Sequence, residues 1–179
     1  MKKSLFSAAS MLTVIAPLSG AGAQSAAPPP RPGCDAEIYR AFDFWVGEWE
    51  VFSPDGKRAG DNSITIEEDG CLLIERWRGA QGGTGQSYNF YDPGMEKWRQ
   101  VWVARSGTID YAGALNDDGA MVLEGEIANR NGKTAPFKGT WTLQDDGSVR
   151  QQFQQFNAET GHWDDWFIGI YKRAEDENE

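Results

Sequence analysis

Glycine-containing turn sequences divide most of this chain into short segments. They are Pro54-Asp55-Gly56, Asp69-Gly70, Asp92-Pro93-Gly94, Asp118-Gly119, Asn131-Gly132, Asp146-Gly147 and Thr160-Gly161. Asp-Gly and Asn-Gly favour the positive φ angles that tight hairpins require. Strand-like segments that recur at intervals of about 8–12 residues are typical of all-β sandwiches and barrels. This punctuation therefore predicts an all-β fold.

The segments between the turns alternate in a way that predicts strands. The predicted bounds are 45–52, 61–68, 71–79, 85–91, 96–104, 107–115, 120–128, 135–143, 148–156 and 163–172. Trp98, Gln100 and Trp102, for example, share one face of their strand, as its two-residue period requires. A meander of hairpins closes on itself to remove exposed edges. We therefore expect a single antiparallel up-and-down β-barrel of about ten strands, with a short N-terminal helix within Asp35 to Phe42 that closes one barrel end.

The first residues have the pattern of a signal peptide. Lys2 and Lys3 precede an apolar stretch from Leu5 to Leu18, and Ala21-Gly22-Ala23 matches the small-residue cleavage rule. The apolar stretch is too short for a membrane-spanning helix. We therefore expect export to the bacterial periplasm or secretion, with cleavage near Ala23 and no membrane anchor. The predicted divisions are the signal peptide (1–23), a Pro/Ala-rich disordered leader (24–33), the barrel (34–173) and an acidic tail (174–179).

Charge and cysteine content narrow the partners and the compartment. The chain carries 27 acidic and 17 basic residues, for a net charge of −10. Such a chain repels nucleic-acid phosphates, so we expect no nucleic-acid partner. Its two cysteines, Cys34 and Cys71, predict one disulfide in an oxidising compartment. The alternative is two buried free thiols.

The opening of the first strand resembles the signature of lipocalins and other calycin barrels. Gly47-x-Trp49 carries this resemblance, and in those folds the Trp packs under a basic residue of the last strand. Arg173 or Lys172 is the matching residue here, since an aromatic face attracts a cation. The resemblance implies that Gly47, Trp49 and Arg173 close the barrel.

A wider resemblance spans about residues 35–173. It is carried by Phe42–Val51 (with the pattern FDFWxGEW), Asp69-Gly70-Cys71 with Glu75 and Trp77, Ser87–Pro93 with Trp98 and Trp102, and Tyr171 with Arg173. These segments resemble a bacterial exported family of lipocalin-like domains of unknown function, which is distantly similar to nitrobindin-type barrels. The resemblance implies a calycin-like barrel and no established activity.

The aromatic content, 12% of the chain, directs attention to the barrel interior. Small barrels either fill their interior with side chains or hold one ligand there. We expect a small apolar or amphipathic molecule to bind in an aromatic-lined interior. The predicted ligand-binding residues are Trp77, Tyr88, Asn89, Gln100, Trp102 and Tyr111. If they face inward, Glu75, Arg76 and Gln152 would add further polar groups.

Two other functions stay open on the sequence alone. One is an enzyme of isomerase or hydratase type that acts on an apolar substrate, for instance with Glu75 and Glu124 as an acid–base pair. The other is a filled barrel that acts through its surface. No Gly-x-Ser-x-Gly motif is present, and any Ser-His-Asp triad would have to use the single histidine, His162. We therefore assign no catalytic residue.

His162 and the acidic residues around it are candidate cofactor ligands. Nitrobindin-type barrels bind haem through a histidine near the C-terminal strand, but His162 lies at a turn. Glu159, Asp164 and Asp165 offer oxygen atoms for Ca²⁺ but lack the spacing of a calcium loop. The glycine-rich segment 79–87 has Gln86 where a phosphate loop needs lysine. We predict no metal and no cofactor, and the oligomeric state stays open.

Overall fold

A computed structural model of the chain describes residues 33–174. The predicted barrel (34–173) lies within this range. The predicted signal peptide (1–23), the leader apart from Gly33 and the tail apart from Ala174 lie outside the described residues.

The described residues form ten strands, one short α-helix and two 3₁₀ turns. The helix α1 is Glu37–Arg40, and the 3₁₀ turns are Asp43–Trp45 and Glu68–Gly70. The strands are β1 (Gly47–Phe52), β2 (Arg58–Glu67), β3 (Leu72–Gly79), β4 (Thr84–Asp92), β5 (Lys97–Ala104), β6 (Gly107–Leu115), β7 (Met121–Asn129), β8 (Thr134–Leu143), β9 (Val149–Asn157) and β10 (His162–Arg173). The predicted strand bounds differ from these by a few residues.

The strands form a closed antiparallel barrel. Each strand pairs with its neighbours in the sequence, and β10 returns to pair with β1. The last pairing sets Trp49 opposite Arg173 and Phe52 opposite Ile170. The predicted up-and-down barrel of ten strands is therefore confirmed, and every strand has two hydrogen-bonded neighbours.

The hairpin turns use the residues that the sequence marks. Gly132 and Gly147 both have a φ of +80°, a conformation that glycine adopts without steric cost. At the preceding positions, the side chain of Asn131 accepts the Lys133 N–H at 3.0 Å and that of Asp146 accepts the Ser148 N–H at 2.9 Å. These local bonds fix the turns and, with them, the register of the strands.

Aromatic rings fill one end of the barrel, which we call the closed end. Phe42 stacks on Trp45 with ring centroids 5.0 Å apart, and the edge of Trp141 meets Phe42 at 5.2 Å. Trp98 approaches Phe42 from another side, and its indole N–H donates to the Ile38 carbonyl at 3.0 Å. The segment before β1 thus plugs the barrel, as the predicted N-terminal helix requires, although only Glu37–Arg40 is α-helical.

The disulfide ties this plug to the barrel wall. Cys34 is bonded to Cys71, which immediately precedes β3. The Arg40 guanidinium adds a hydrogen bond to the Gly70 carbonyl and an ion pair with Asp43 at 3.4 Å. The predicted bridge is confirmed, and the described cysteines include no free thiol.

Arg173 lies over the ring of Trp49 where β1 and β10 meet. The guanidinium carbon is 3.9 Å from the ring centroid, and Nη1 donates to the Val46 carbonyl at 2.6 Å. Any Cβ at Gly47 would lie 1.9 Å from that Nη1, so only glycine leaves room for the guanidinium. Lys172 instead lies over the ring of Phe52. The residue that covers Trp49 is therefore Arg173.

Candidate functional site

The interior holds a cavity of about 1030 Å³ at the end opposite the aromatic plug. Its mouth is bordered by the short connections between β3 and β4, β5 and β6, and β7 and β8, which in an up-and-down meander all lie at one end. We call this the open end. Sites for small molecules typically have volumes of about 300–1,000 Å³, so the space suits one such molecule.

Aromatic side chains form the walls of the cavity. They are Trp77 of β3, Trp102 of β5, Phe153 of β9 and Phe167 of β10. Trp77 and Phe167 approach to 6.5 Å between centroids. The Trp102 ring lies against β4, where a Cβ at Gly85 would come within 2.1 Å of it. Glycine at position 85 therefore lets this indole lie flat along the wall.

A β-bulge in β10 adds a further aromatic ring at the mouth. The pairing with β9 shifts between Asp165 and Phe167, which leaves Trp166 as the extra residue. A bulge interrupts the normal alternation of faces, so Trp166 and Phe167 both line the cavity. Trp166 packs on Phe137 at 5.6 Å yet is 55% exposed. It is thus an uncovered ring at the entrance.

Three polar side chains form the floor of the cavity: Glu75, Gln151 and Tyr171. The Glu75 carboxylate is 4% exposed and accepts the Asn62 side-chain N–H at 2.7 Å and the Ser87 hydroxyl at 2.6 Å. The Tyr171 hydroxyl donates to Gln151 Oε1 at 2.9 Å and accepts from Asn62 Nδ2 at 3.1 Å. The floor is therefore held in place by hydrogen bonds from neighbouring strands.

A chain of buried polar groups supports Glu75 from behind. Tyr111 donates to Gln100 Oε1, and Gln100 Nε2 donates to Asn89 Oδ1. Asn89 Nδ2 donates to Ser87 Oγ at 2.9 Å, and Ser87 donates to Glu75. Every donor in this chain points towards the carboxylate. Buried polar groups need such partners, and a fully connected network fixes their positions.

Burial changes the acidity of the floor. Desolvation raises the pKa of Glu75 to about 7, although the hydrogen bonds from Ser87 and Asn62 oppose the shift. Burial, together with the nearby Glu75 charge, also raises the pKa of Tyr111 and Tyr171 well above the usual value. At neutral pH the Tyr111 and Tyr171 phenols are thus neutral, and the Glu75 carboxyl, with its pKa raised to about 7, is partly protonated.

Two arginines lie at the rim of the cavity. Arg105 is in the short turn between β5 and β6, and Arg130 begins the turn between β7 and β8. Arg130 Nε donates to the Arg105 carbonyl at 3.0 Å, and Nη2 donates to the Ala104 carbonyl at 2.6 Å. The Arg130 guanidinium is therefore fixed next to the turn that carries Arg105.

The structure divides the predicted ligand-binding residues into three groups. Trp77 and Trp102 line the cavity. Asn89, Gln100 and Tyr111 belong to the buried network behind it. Tyr88 is a correction: it is 53% exposed on the outer face, because it alternates along β4 with the inward Ser87 and Asn89.

Three further predicted side chains also face outward. Arg76 is exposed next to the inward Glu75 and donates to Thr65, and Gln152 donates to Asp165 outside the barrel. Glu124 pairs with Lys138 at 2.9 Å on the outer surface. The suggested acid–base pair of Glu75 and Glu124 is therefore wrong, since the sheet separates the two carboxylates.

Sequence reasoning did not identify several lining residues. They are Arg105, Arg130, Gln151, Phe153, Trp166 and Phe167. One signal was available in the sequence: Trp166 and Phe167 are adjacent aromatic residues, and two such residues in a row break strand alternation as a bulge does. The rim arginines lie in turns, where no periodicity indicates which way a side chain points.

The candidate cofactor ligands lie away from the cavity. His162 is exposed at the start of β10, opposite Asn157, and does not line the cavity. Within residues 33–174, no three His, Cys, Asp or Glu side chains come together as a metal-binding group. In the same range, no helix has the length and apolar character to cross a membrane.

Neither protein-family models nor curated proteins provide a match to this chain. The class of the molecule therefore follows from its own geometry. It is a closed ten-stranded antiparallel β-barrel with a buried aromatic cluster, filled at one end and hollow at the other.

Proposed function

We propose that this barrel binds one small, partly apolar molecule in the cavity at its open end. The observation that carries the proposal is the composition of that cavity, which has aromatic walls and a small polar floor. Binding sites for small molecules are mostly apolar and contain a few well-placed polar groups that fix orientation. The apolar body of the ligand would contact Trp77, Trp102 and Phe167, and a polar group would reach Glu75 and Gln151.

The rigidity of the floor supports this proposal. Glu75 and Tyr171 are already hydrogen-bonded within the protein, so they lose little freedom when a ligand arrives. Preorganised groups of this kind increase affinity by reducing the entropy cost of binding. The exposed ring of Trp166 would gain a contact partner at the same time.

We further propose that the protein acts after export, in the periplasm or outside the cell, as a member of the lipocalin-like family that it resembles. The disulfide between Cys34 and Cys71 supports this, because such bonds persist in oxidising compartments. The Gly47, Trp49 and Arg173 contact supports the resemblance, because the calycin signature implies that arrangement.

A second candidate is an enzyme of isomerase type that works on an apolar substrate. The observation that favours it is Glu75, a cavity-floor carboxyl with its pKa raised to about 7, which suits a general acid–base near neutral pH. Both carboxylate oxygens already accept hydrogen bonds, which favours a structural and binding role. In an enzyme, Glu75→Gln would abolish turnover while ligand binding persists; in a binding protein, that variant has no turnover to lose.

Two neighbouring substitutions on β5 test the binding function. The probe is N-phenyl-1-naphthylamine, a neutral apolar dye that fluoresces in apolar surroundings. Ala104→Trp places a large ring in the cavity, since Ala104 lines it, whereas Val103→Trp places the same ring on the outer face, where Val103 is exposed. We expect saturable binding with one dye per barrel, a loss of at least about tenfold in affinity for Ala104→Trp, and no change for Val103→Trp.

Native mass spectrometry of protein purified from its own host complements this titration, because a retained molecule would add its mass to the barrel. The binding function is contradicted if the dye does not saturate, or if both tryptophan variants bind it as the unmodified protein does.

A further inference from the structure

The charges in the cavity are separated along its depth. Of the described residues that line the cavity, Glu75 on the floor is the one carboxylate, and Arg105 and Arg130 at the rim are the two guanidinium groups. The whole chain has a net charge of −10, so two guanidinium groups that line the cavity rim contrast with its overall charge. This contrast indicates a specific role for the two arginines.

Neither rim arginine is neutralised by a carboxylate within residues 33–174. The ion pairs of the described residues use other side chains. Arg130 uses Nε and Nη2 on backbone carbonyls, which leaves Nη1 for another acceptor. The backbone also joins the two turns, since the Arg130 N–H donates to the Ser106 carbonyl at 3.2 Å. The two positive charges therefore lie in adjoining turns, and no carboxylate of the described residues forms an ion pair with them.

We propose that the ligand of this cavity is an amphipathic molecule with one anionic group, a carboxylate or sulfonate, held at the rim by Arg105 and Arg130. This inference rests on the binding function proposed above and defines the chemical class of its ligand. The apolar body extends from the rim along Trp77 and Trp102 towards the floor. Guanidinium groups suit this task because they offer several donors in a fixed plane to the oxygens of an anion.

The floor sets the direction in which such a molecule enters. A charged Glu75 repels an anionic group, while its oxygens accept a hydrogen bond from a hydroxyl or amide N–H at the far end of the ligand. The anionic end therefore stays outside, at Arg105 and Arg130. Because the whole chain repels free anions, local positive charge at the mouth is needed to capture one.

Two dyes that share one aromatic body test this inference. 1-Anilinonaphthalene-8-sulfonate is the same arylamine as the neutral N-phenyl-1-naphthylamine with a sulfonate added. We expect the barrel to bind the sulfonate about tenfold more tightly at low salt, and this preference to shrink as sodium chloride is added. Arg105→Gln should remove most of the preference, because the sulfonate loses a guanidinium partner whereas the neutral dye has no anionic group to pair with it.

Arg78→Gln is the matched control for Arg105→Gln. Arg78 lies near the same barrel end but on the outer face, next to the inward Trp77, and is exposed. The substitution Arg78→Gln therefore removes the same charge from the chain without altering the rim. We expect it to leave the affinities for the sulfonate dye and for the neutral dye unchanged.

The possible results separate the two proposals. The anionic ligand class is overturned, and the binding function stands, if both dyes bind equally and Arg105→Gln changes neither. It is also overturned if Arg78→Gln weakens the sulfonate as much as Arg105→Gln, because the effect would then come from net charge. If neither dye saturates, the binding function is wrong and this inference falls with it. A urea-unfolding midpoint for Arg105→Gln that matches that of the unmodified protein shows that the variant is folded.

Discussion

The two ends of this barrel use the same residue type for opposite purposes. At the closed end, Trp45, Trp49 and Trp141 are fully buried and pack against other rings. At the open end, Trp77 and Trp102 border an empty volume and Trp166 is largely exposed. Buried rings contribute large apolar areas to stability, whereas rings left uncovered around a cavity offer a contact surface to another molecule. The comparison separates the part of the interior that stabilises the barrel from the part available for function.

The difference between the ends has a simple structural origin. The segment that precedes β1 enters the closed end and is fixed there by the disulfide. Within residues 33–174, the open end is bordered by hairpin turns such as Arg105-Ser106. Among the described residues, one segment therefore plugs the closed end, and the cavity lies at the other end.

The largest expected effect is the loss of Trp49 at the closed end. Trp49→Ala removes a buried indole and leaves a cavity, so we expect a destabilisation of about 3–5 kcal/mol in urea unfolding. Arg173→Ala should cost less, because it removes a cation–π contact of about 1–2 kcal/mol and one hydrogen bond. The double variant should cost less than the sum of the two, since both lose one shared contact. Strict additivity would show that Arg173 and Trp49 act independently and would break the closure argument.

The disulfide is the next test of the closed end. Cys34 and Cys71 are 37 residues apart in the sequence, and a bridge across a loop of this length stabilises by about 3–4 kcal/mol in the chain-entropy model. We expect the double variant Cys34→Ser/Cys71→Ser to lose about that much free energy of unfolding. If the variant unfolds at the same urea concentration as the unmodified protein, the bridge does not stabilise the plug.

Glu75 predicts a pH dependence of stability that arises at the cavity floor. Burial raises the pKa of Glu75 from its ordinary value of 4.5 to about 7, so the folded state binds the proton more tightly than the unfolded chain does. The stabilisation that comes from this tighter proton binding is complete below pH 4.5 and is lost as the pH rises through about 7. The total change in the free energy of unfolding is about 3 kcal/mol.

Urea unfolding between pH 5 and pH 8 tests this shift by comparison with a variant. We expect the difference in stability between Glu75→Gln and the unmodified protein to change with pH in favour of the variant as the pH rises. Glu124→Gln is the control, because Glu124 pairs with Lys138 on the exposed outer surface. Parallel pH curves for the unmodified protein and Glu75→Gln would contradict a raised pKa at the floor.

The smallest effect on stability is expected at the open end. Trp166→Ala removes a ring that is 55% exposed, so we expect a cost below about 1 kcal/mol. The same variant should bind N-phenyl-1-naphthylamine several-fold more weakly, since a ring at the mouth is lost. Leu143→Ala is the control: Leu143 is an exposed apolar residue that ends β8 at the closed end, and its loss should leave dye binding unchanged. A large loss of stability in Trp166→Ala would place this ring in the core and break the comparison of the two ends.

The fold followed from the sequence because local signals and the period of the strands agree. Asn131-Gly132 and Asp146-Gly147 predicted turns, and the alternation of Trp98, Gln100 and Trp102 predicted that these residues share one face; both are confirmed. Barrel closure followed from the need to pair the first and last strands. The disulfide followed from there being only two cysteines.

The candidate site was predicted only in part. Its residues depend on which face of each strand points inward and on how side chains are directed in the turns. Tyr88 was wrongly expected to face inward, since an aromatic residue suits either face of a strand. Glu75 could be named as a polar neighbour, but its partners Asn62 and Ser87 lie on other strands, and sequence gives no three-dimensional neighbours. Arg105 and Arg130 lie in turns, where no strand period indicates the direction of a side chain. The bulge at Trp166 is a single extra residue, which the regular period of a strand does not predict.

The tryptophan indole N–H signals of ¹⁵N-labelled protein provide the most direct test of the central claim, that the open end is the binding site. All eight tryptophans of the chain can be followed while N-phenyl-1-naphthylamine is added. We predict that the signals of Trp77, Trp102 and Trp166 shift, and that those at the closed end and that of Trp163, which lies under Lys138 on the outer face, stay in place. Shifts confined to the closed-end tryptophans or to Trp163, or no shift at saturating dye, would contradict the claim.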